Sequence, residues 1–204
     1  MSTLTGGARP SSSRASQRRR AAIEEATLVL LRARDAAEVS VSDIADQAEV
    51  SVATLYNLIG TRDRLLAGVY DRYLYQLAVE LAEQPPALGL MSAASTVITT
   101  ATDVALRDPL PLRAVVREVP PLELTTAKGT GLAPLLRPRL SAAGASPREG
   151  REAAQLIVYA FRGTLVSWAH GLISDECFRA DSELATKRLI LGTFGIEDNG
   201  GRHE

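Results

Sequence analysis

The side chains best placed to do chemistry sit in one short run, Ser51-Val-Ala-Thr-Leu-Tyr-Asn57. At 100° per residue, Leu55, Leu58 and Ile59 fall on one side of a helix, Ala53 and Asn57 lie opposite, and Thr54 and Tyr56 flank them. Small residues on the outer side let another surface come close. Thr54 can hydrogen-bond a base edge or touch a thymine methyl, and Asn57 can pair with adenine. The Tyr56 hydroxyl can reach a phosphate while its ring stays packed. This is the chemistry of reading, not of breaking bonds. His170 and His203 are the only histidines, and they are far apart. Ser167, beside Trp168 and His170, lacks the setting of a nucleophile. Lys128-Gly-Thr-Gly131 lacks the spacing of a phosphate-binding loop and reads as a plain loop. The expectation is no enzyme, no metal and no cofactor.

The elements that must hold this run are helices. A helix from about Ser16 to Arg34 carries Ile23, Ala26, Thr27, Leu30 and Leu31 at three- and four-residue steps. Ser40 and Asp43 have the shape of a capping box opening a second helix, whose buried stripe is Val41, Ile44, Ala45 and Ala48. Glu49 and Val50 turn the chain, and Ser51 caps the third helix. Gly60 ends it. Thr61 caps a fourth helix, which runs to about Glu83 before Pro85 and Pro86. Arg62 adds a cation beside the run. An ordinary hairpin in a helical bundle would share the caps and stripes. Two short capped helices followed by an Ala-Thr-Leu-Tyr run, a Gly-Thr-Arg break and a long helix are more specific. They predict a helix-turn-helix over about residues 40–59, in a DNA-binding domain over 15–75.

Residues 17–75 resemble the DNA-binding domain of the TetR-type (tetracycline-repressor-like) transcriptional regulators. The matching residues are Ser40-Val41-Ser42-Asp43-Ile44-Ala45, Ala48, Val50-Ser51, Thr54-Leu55-Tyr56-Asn57, Thr61-Arg62-Asp63 and Leu65-Leu66. The resemblance implies a homodimer whose two reading heads occupy successive major grooves, with the last two helices forming the dimer's four-helix bundle. It implies a ligand pocket among the middle helices. It also puts Ser40, Ser51, Tyr56 and Arg62 at phosphate contacts, and Val52, Ala53 and Thr54 at base contacts. Three positions depart from the family's habit. Glu49 stands where Gly is usual, Ile59 where an aromatic is common, and Arg62 where Lys is usual. A left-handed Glu49 would cost about 1 kcal/mol relative to Gly.

The remaining residues, 76–196, read as a ligand-binding and dimerisation domain. The fold class is all-α, with about nine helices in total. Ser92 to about Arg107 is helical. Prolines break residues 110–143 into two or three short helices with a loop near 128–131. Ser146-Pro-Arg-Glu149 starts a long helix running to about His170. The last helix, about Ser182 to Phe194, is apolar over a wide arc, which calls for a partner surface. Phe161, Leu165, Leu184 and Leu191 are the candidates for that interface. Arg113, Arg117 and Trp168 are candidates for the pocket, although the two arginines also suit a solvated helix face and Trp168 suits the core.

Charge is balanced over the 204 residues, with 23 basic and 24 acidic side chains and a net charge of −1. Its distribution is not even. Residues 1–20 carry Arg9, Arg14, Arg18, Arg19 and Arg20 and no acid. Residues 1–14 read as a disordered basic arm, with Arg18 and Arg19 as phosphate contacts. Residues 197–204 read as a polar tail. The lone Cys177 excludes an intrachain disulfide, and with no signal-peptide core and no membrane-length apolar run the expected location is the cytoplasm. The expected function is a transcriptional repressor that a small-molecule effector releases from a double-stranded operator. The rival is a small-molecule-binding or assembly protein that has lost DNA binding, which the Glu49 charge favours.

Overall fold

The computed structural model describes residues 10–118 and 131–196. Among them are nine α-helices and no strand: α1 (Pro10–Ala33), α2 (Val41–Gln47), α3 (Val52–Leu58), α4 (Arg62–Ala82), α5 (Leu90–Arg107), α6 (Pro109–Glu118), α7 (Ala133–Ala142), α8 (Pro147–Ala169) and α9 (Asp175–Phe194). One turn of 3-10 helix, Ala36–Glu38, precedes α2. The chain divides into two compact units, Met1–Val69 and Tyr70–Glu204, with the boundary inside α4.

In the first unit, α1 begins at Pro10, about six residues ahead of the expected start at Ser16. Proline is well suited to a first helical position, since it has no N–H to leave unpaired. The Ser-, Arg- and Ala-rich residues that follow hold no breaker. The expected arm over 1–14 therefore loses its last part to the helix, and residues 1–9 lie outside the described residues. The core is built from Ile23, Ala26, Leu30 and Leu31 of α1, Ile44 and Ala45 of α2, Leu55 of α3, and Leu65, Leu66 and Val69 of α4. Thr27 is buried among them, and its hydroxyl donates to the Ile23 carbonyl at 2.7 Å. That bond makes a hydroxyl tolerable inside.

The turn between α2 and α3 is a Schellman motif. The Val50 N–H donates to the Ala45 carbonyl at 2.9 Å and the Glu49 N–H to the Asp46 carbonyl at 3.1 Å. The motif needs a left-handed residue after the cap, and Glu49 supplies it at φ 55°, the one non-glycine residue with positive φ among those described. The same hydrogen-bond pattern closes α7 and α8, where the left-handed residues are Gly144 and Gly171.

The second unit is organised on α5. Ala93, Ala94, Val97, Ile98, Ala101, Val104 and Ala105 are all buried, and α5 packs against α6, α7 and α9. Its alanines let neighbouring helices approach closely, so a helix with little aromatic bulk can still fill the centre. α8 packs against α6, α7 and α9. It opens with the expected box: Ser146 accepts from the Glu149 N–H at 3.3 Å, and Glu149 accepts from the Ser146 N–H at 3.2 Å. α9 starts at Asp175, seven residues before the expected Ser182. Ser174 caps it, accepting from the Cys177 N–H at 3.1 Å. The stretch Asp-Glu-Cys-Phe-Arg-Ala-Asp carries a single large apolar residue, so no periodic stripe marks it as helical. Phe178 alone anchors it, fully buried. The loop expected near 128–131 lies outside the described residues except for Gly131. No described helix is long and apolar enough to cross a membrane.

Two outcomes follow. Glu49→Gly should raise the stability of the first unit by about 1 kcal/mol, since glycine takes a left-handed conformation without the Cβ clash; urea unfolding checks this. Three carboxylates sit below their ordinary pKa. Asp43 is lowered by hydrogen bonds from Ser40, with Arg34 adding charge. Glu80 is lowered chiefly by its bond from Arg107 and Glu149 by its bond from Ser146. A carboxylate with a depressed folded pKa stabilises above its unfolded value, about 4, and loses that contribution as pH falls through the folded value. Unfolding midpoints should drop between pH 5 and 3. Asp43→Asn, Glu80→Gln and Glu149→Gln should each flatten that fall.

Candidate functional site

The outer face of α3 is bare within the first unit. Val52, Ala53, Tyr56 and Asn57 are exposed and Thr54 is half-buried, while Leu55 is fully buried. Leu58 and Ile59, expected to face inward, are half-buried. One anchor residue therefore holds the helix down, and the rest of its surface is polar, small or open. Tyr56 keeps half its surface in solvent, at 51%. Arg18 and Arg19 are exposed on α1.

The caps change what two serines can offer. The Ser40 hydroxyl donates to the Asp43 carboxylate at 2.7 Å and accepts from the Asp43 N–H at 3.1 Å. The Ser40 N–H also donates to the same carboxylate, at 2.9 Å. A phosphate needs a donor, and both of Ser40's are spent on the capping box. Its expected phosphate contact is therefore not supported by the geometry while the box stands. Ser51 differs. Its hydroxyl accepts from the Thr54 N–H at 3.1 Å and shares one hydroxyl–hydroxyl bond with Thr54 at 2.8 Å. A pair of hydroxyls joined by one bond keeps one hydrogen to give away, so Ser51 and Thr54 act as a single donor at the start of α3.

Arg62 also departs from its expected role. Its guanidinium donates to the Ala36 and Val39 carbonyls. These bonds brace the start of α4 against the 3-10 turn. Arg62 is first a strut. Sequence spacing held no signal of this, because its partners lie 26 and 23 residues away.

In the second unit, the aromatic candidate is structural. Trp168 is fully buried, its indole N–H donates to the Asp175 carboxylate at 2.7 Å, and its ring stacks on Phe178 at 4.9 Å. The Arg113 guanidinium lies over the indole at 4.4 Å and donates to the same Asp175 oxygen at 2.7 Å. Arg113, Trp168 and Asp175 thus join α6, α8 and the first turn of α9. Arg117 is exposed, and its Nε–H donates to the Arg113 carbonyl. Arg113 and Trp168 hold helices together and Arg117 faces solvent, and none of the three lines the apolar cleft of this unit.

The apolar cleft of this unit lies elsewhere. Tyr70, Tyr73, Leu77, Val104, Leu112 and Leu165 are among its walls, and Phe161 completes one side. About 390 Å³ of empty space lies in it and its mouth, of which about 40 Å³ admits a body the size of water. The Tyr73 hydroxyl is committed, donating to the Asp108 carbonyl at 2.7 Å. Phe161 and Leu165 therefore turn inward rather than toward a partner, and Leu165 is 4% exposed. Leu165 is therefore withdrawn from any partner surface, while Phe161 is half-buried. Leu184 is 54% exposed and Leu191 half-buried, so these two remain available to a partner. Leu156 and Tyr159 on α8 are exposed too. Among the described residues no group of three His, Cys, Asp or Glu side chains is placed to hold a metal.

No family model matches the chain, and no curated protein matches it. Solved structures do. A TetR transcriptional regulator from Rhodococcus sp. RHA1 matches with a TM-score of 0.67 at 23% identity, over 85% of this chain and 96% of that one. The TetR family repressor AlkX from Dietzia sp. strain DQ12-45-1b, implicated in biodegradation of n-alkanes, matches at 0.55 and 26% identity, over 83% and 94%. A TetR-family transcriptional regulator from Streptomyces coelicolor matches at 0.53 and 17%, over 86% and 81%. The likeness first read from residues 17–75 thus extends over most of the chain, and the fold is that of the TetR-type regulators.

If Trp168 is a structural post, Trp168→Ala should cost about 3–5 kcal/mol, the usual loss for emptying a core aromatic site. Trp168→Phe should cost less but still leave the Asp175 carboxylate short of a donor. Denaturant unfolding of the two variants checks this; wild-type stability in both would remove Trp168 from the core.

Proposed function

We propose, from the TetR-type fold, that this chain is a sequence-specific DNA-binding transcriptional regulator, a repressor that leaves its operator when a small molecule binds its second unit. The observation that carries the reading is the bare outer face of α3. A seven-residue helix that buries one leucine and leaves Val52, Ala53, Tyr56 and Asn57 in solvent has the form of a helix meant to enter a major groove. In this reading Ala53 and Val52 allow close approach, Thr54 and Asn57 read base edges, and Tyr56 and Ser51 donate to phosphates. Arg18, Arg19 and Arg62 supply charge along the DNA backbone.

The working form is a homodimer. α8 and α9 pack on each other yet leave Leu156, Tyr159 and Leu184 exposed. A two-fold axis would set this surface against its own copy. Two α3 helices then meet half-sites about 34 Å apart. An effector acts only through its differential affinity for the DNA-bound and released conformers. The inner apolar cleft is where it binds.

Glu49 supports a second reading, in which DNA binding has been lost. Its carboxylate is exposed two residues before the cap of α3, where it repels phosphates. Salt-dependent binding to a duplex excludes that reading.

The test is a selection of bound DNA from random duplexes, followed by band shifts on the selected and a scrambled sequence. Asn57→Ala should lose about 1–3 kcal/mol on the selected site and little on the scrambled one. Tyr56→Phe should weaken both alike. Equal losses on both duplexes for both variants would overturn the assignment of reading to Asn57.

A further inference from the structure

The inner cleft carries no charge and one uncommitted donor, and together these define a class of ligand. Among the described residues that line it, only Tyr70 and Tyr73 have polar side chains, and none is charged. Tyr73 has given its hydrogen to the Asp108 carbonyl. Tyr70 is half-buried, and its hydroxyl makes no hydrogen bond among the described residues. That hydroxyl is not sealed in the packing either. Among the described residues the one sealed side-chain polar atom without a partner is Arg113 Nε, so the Tyr70 hydroxyl opens onto space that a small molecule can enter. At neutral pH it is a protonated donor. Burial raises its pKa from the ordinary phenol value of about 10, while Arg162 and Asp71 act on it by charge in opposite directions. A donor partly withdrawn from water is satisfied by an acceptor. A charged ligand would leave water for walls with no counter-charge, which is costly.

We propose that this cleft takes a neutral alkyl carbonyl compound, its oxygen accepting from the Tyr70 hydroxyl and its chain lying between Leu77, Val104 and Leu165. A carbonyl oxygen accepts without bringing a donor of its own that needs a partner. The ligand is thin. With about 40 Å³ open to a water-sized body, an alkyl chain enters by displacing a few side chains, whereas a fused-ring molecule needs the helices to part. The single donor also sets direction, because only the oxygen-bearing end of the ligand gains from reaching Tyr70. This rests on the reading of the cleft as the effector site, and it names the effector's class.

The probes are 2-heptanone, heptanoate and 1-chlorohexane, each dialysed to equilibrium against the full chain at neutral pH. Heptanoate should bind at least about tenfold more weakly than 2-heptanone, since its charge finds no partner on the walls. Tyr70→Phe should weaken 2-heptanone about fivefold, the worth of one neutral hydrogen bond. It should leave 1-chlorohexane, a poor acceptor of similar length, unchanged. The carbonyl stretch of bound 2-heptanone should lie below its value in hexane and return to that value in Tyr70→Phe. Thermal unfolding confirms that the variant is folded, and the infrared band of the wild type tests the hydrogen bond without it. Five results would each overturn the proposal: no binding of 2-heptanone, equal binding of heptanoate, equal losses of both neutral probes in folded Tyr70→Phe, no loss of either, or a wild-type band at its hexane value. Band shifts run in parallel separate the two readings. If DNA is bound but 2-heptanone is not, the ligand class falls alone. If 2-heptanone binds with the Tyr70-dependent gain but no duplex is bound, the regulator reading falls and the ligand class stands.

Discussion

The placement of α3 depends on one backbone interaction, the hydrogen bond from the Val50 N–H to the Ala45 carbonyl. A seven-residue helix cannot hold itself together in water, where about 12–15 residues are marginal even for good helix formers. It needs a fixed entry, a cap and an anchor. The Schellman turn fixes the entry, Ser51 caps the first turn, and Leu55 is the buried anchor. With so little of α3 committed to the core, the angle of its outer face is set mainly by the turn. That gives the left-handed residue unusual leverage. Glu49 holds this conformation at a cost glycine would avoid, in the turn that aims the outer face of α3.

Capping is what made the architecture legible. Ser40 with Asp43 and Ser146 with Glu149 are local signals, complete within four residues, and both boxes are present. The left-handed Glu49 was legible too, as a residue type at odds with its place in the turn. What local pattern does not carry is the use of a side chain over long range. Arg62 reads as a surface cation until the Ala36 and Val39 carbonyls arrive beside it. Trp168 and Arg113 read as pocket candidates until Asp175 joins them. Periodicity places Phe161 and Leu165 on an apolar face of α8 but cannot say what that face meets. The start of α9 was hidden because Phe178 is its one large apolar residue before Leu184, and a single residue has no period.

The polar interactions of the second unit are spent on holding helices in register. Arg107 grips Glu80 with two bonds, Arg179 pairs with Asp103, and Arg139 donates to the Leu81 carbonyl. Thr164 and Ser182 share a bond between α8 and α9 at 2.8 Å. Partly exposed ion pairs of this kind are each worth little, about 0–1 kcal/mol. Their effect is on specificity. Alanine-rich helices such as α5 offer a smooth surface that can slide, and a few directional contacts select one register among several of similar burial. The aromatic cluster of Phe161, Trp168 and Phe178 adds the bulk that the alanines lack.

Charge follows the same division of labour. A chain with net charge −1 cannot approach a polyanion through its overall field, so attraction has to come from where the arginines are. Those of the second unit that pair with Glu80, Asp103 and Asp175 are neutralised in place. Arg14, Arg18, Arg19 and Arg20 are exposed on α1, in a stretch free of acids through residue 20. On the proposed function, few phosphate contacts would mean a shallow dependence of affinity on salt and weak binding to arbitrary sequence. An exposed Glu49 weakens that background further. Under the proposed function, a head built this way would draw more of its affinity from base edges, which would place the burden of recognition on Thr54 and Asn57 rather than on the arginines around them.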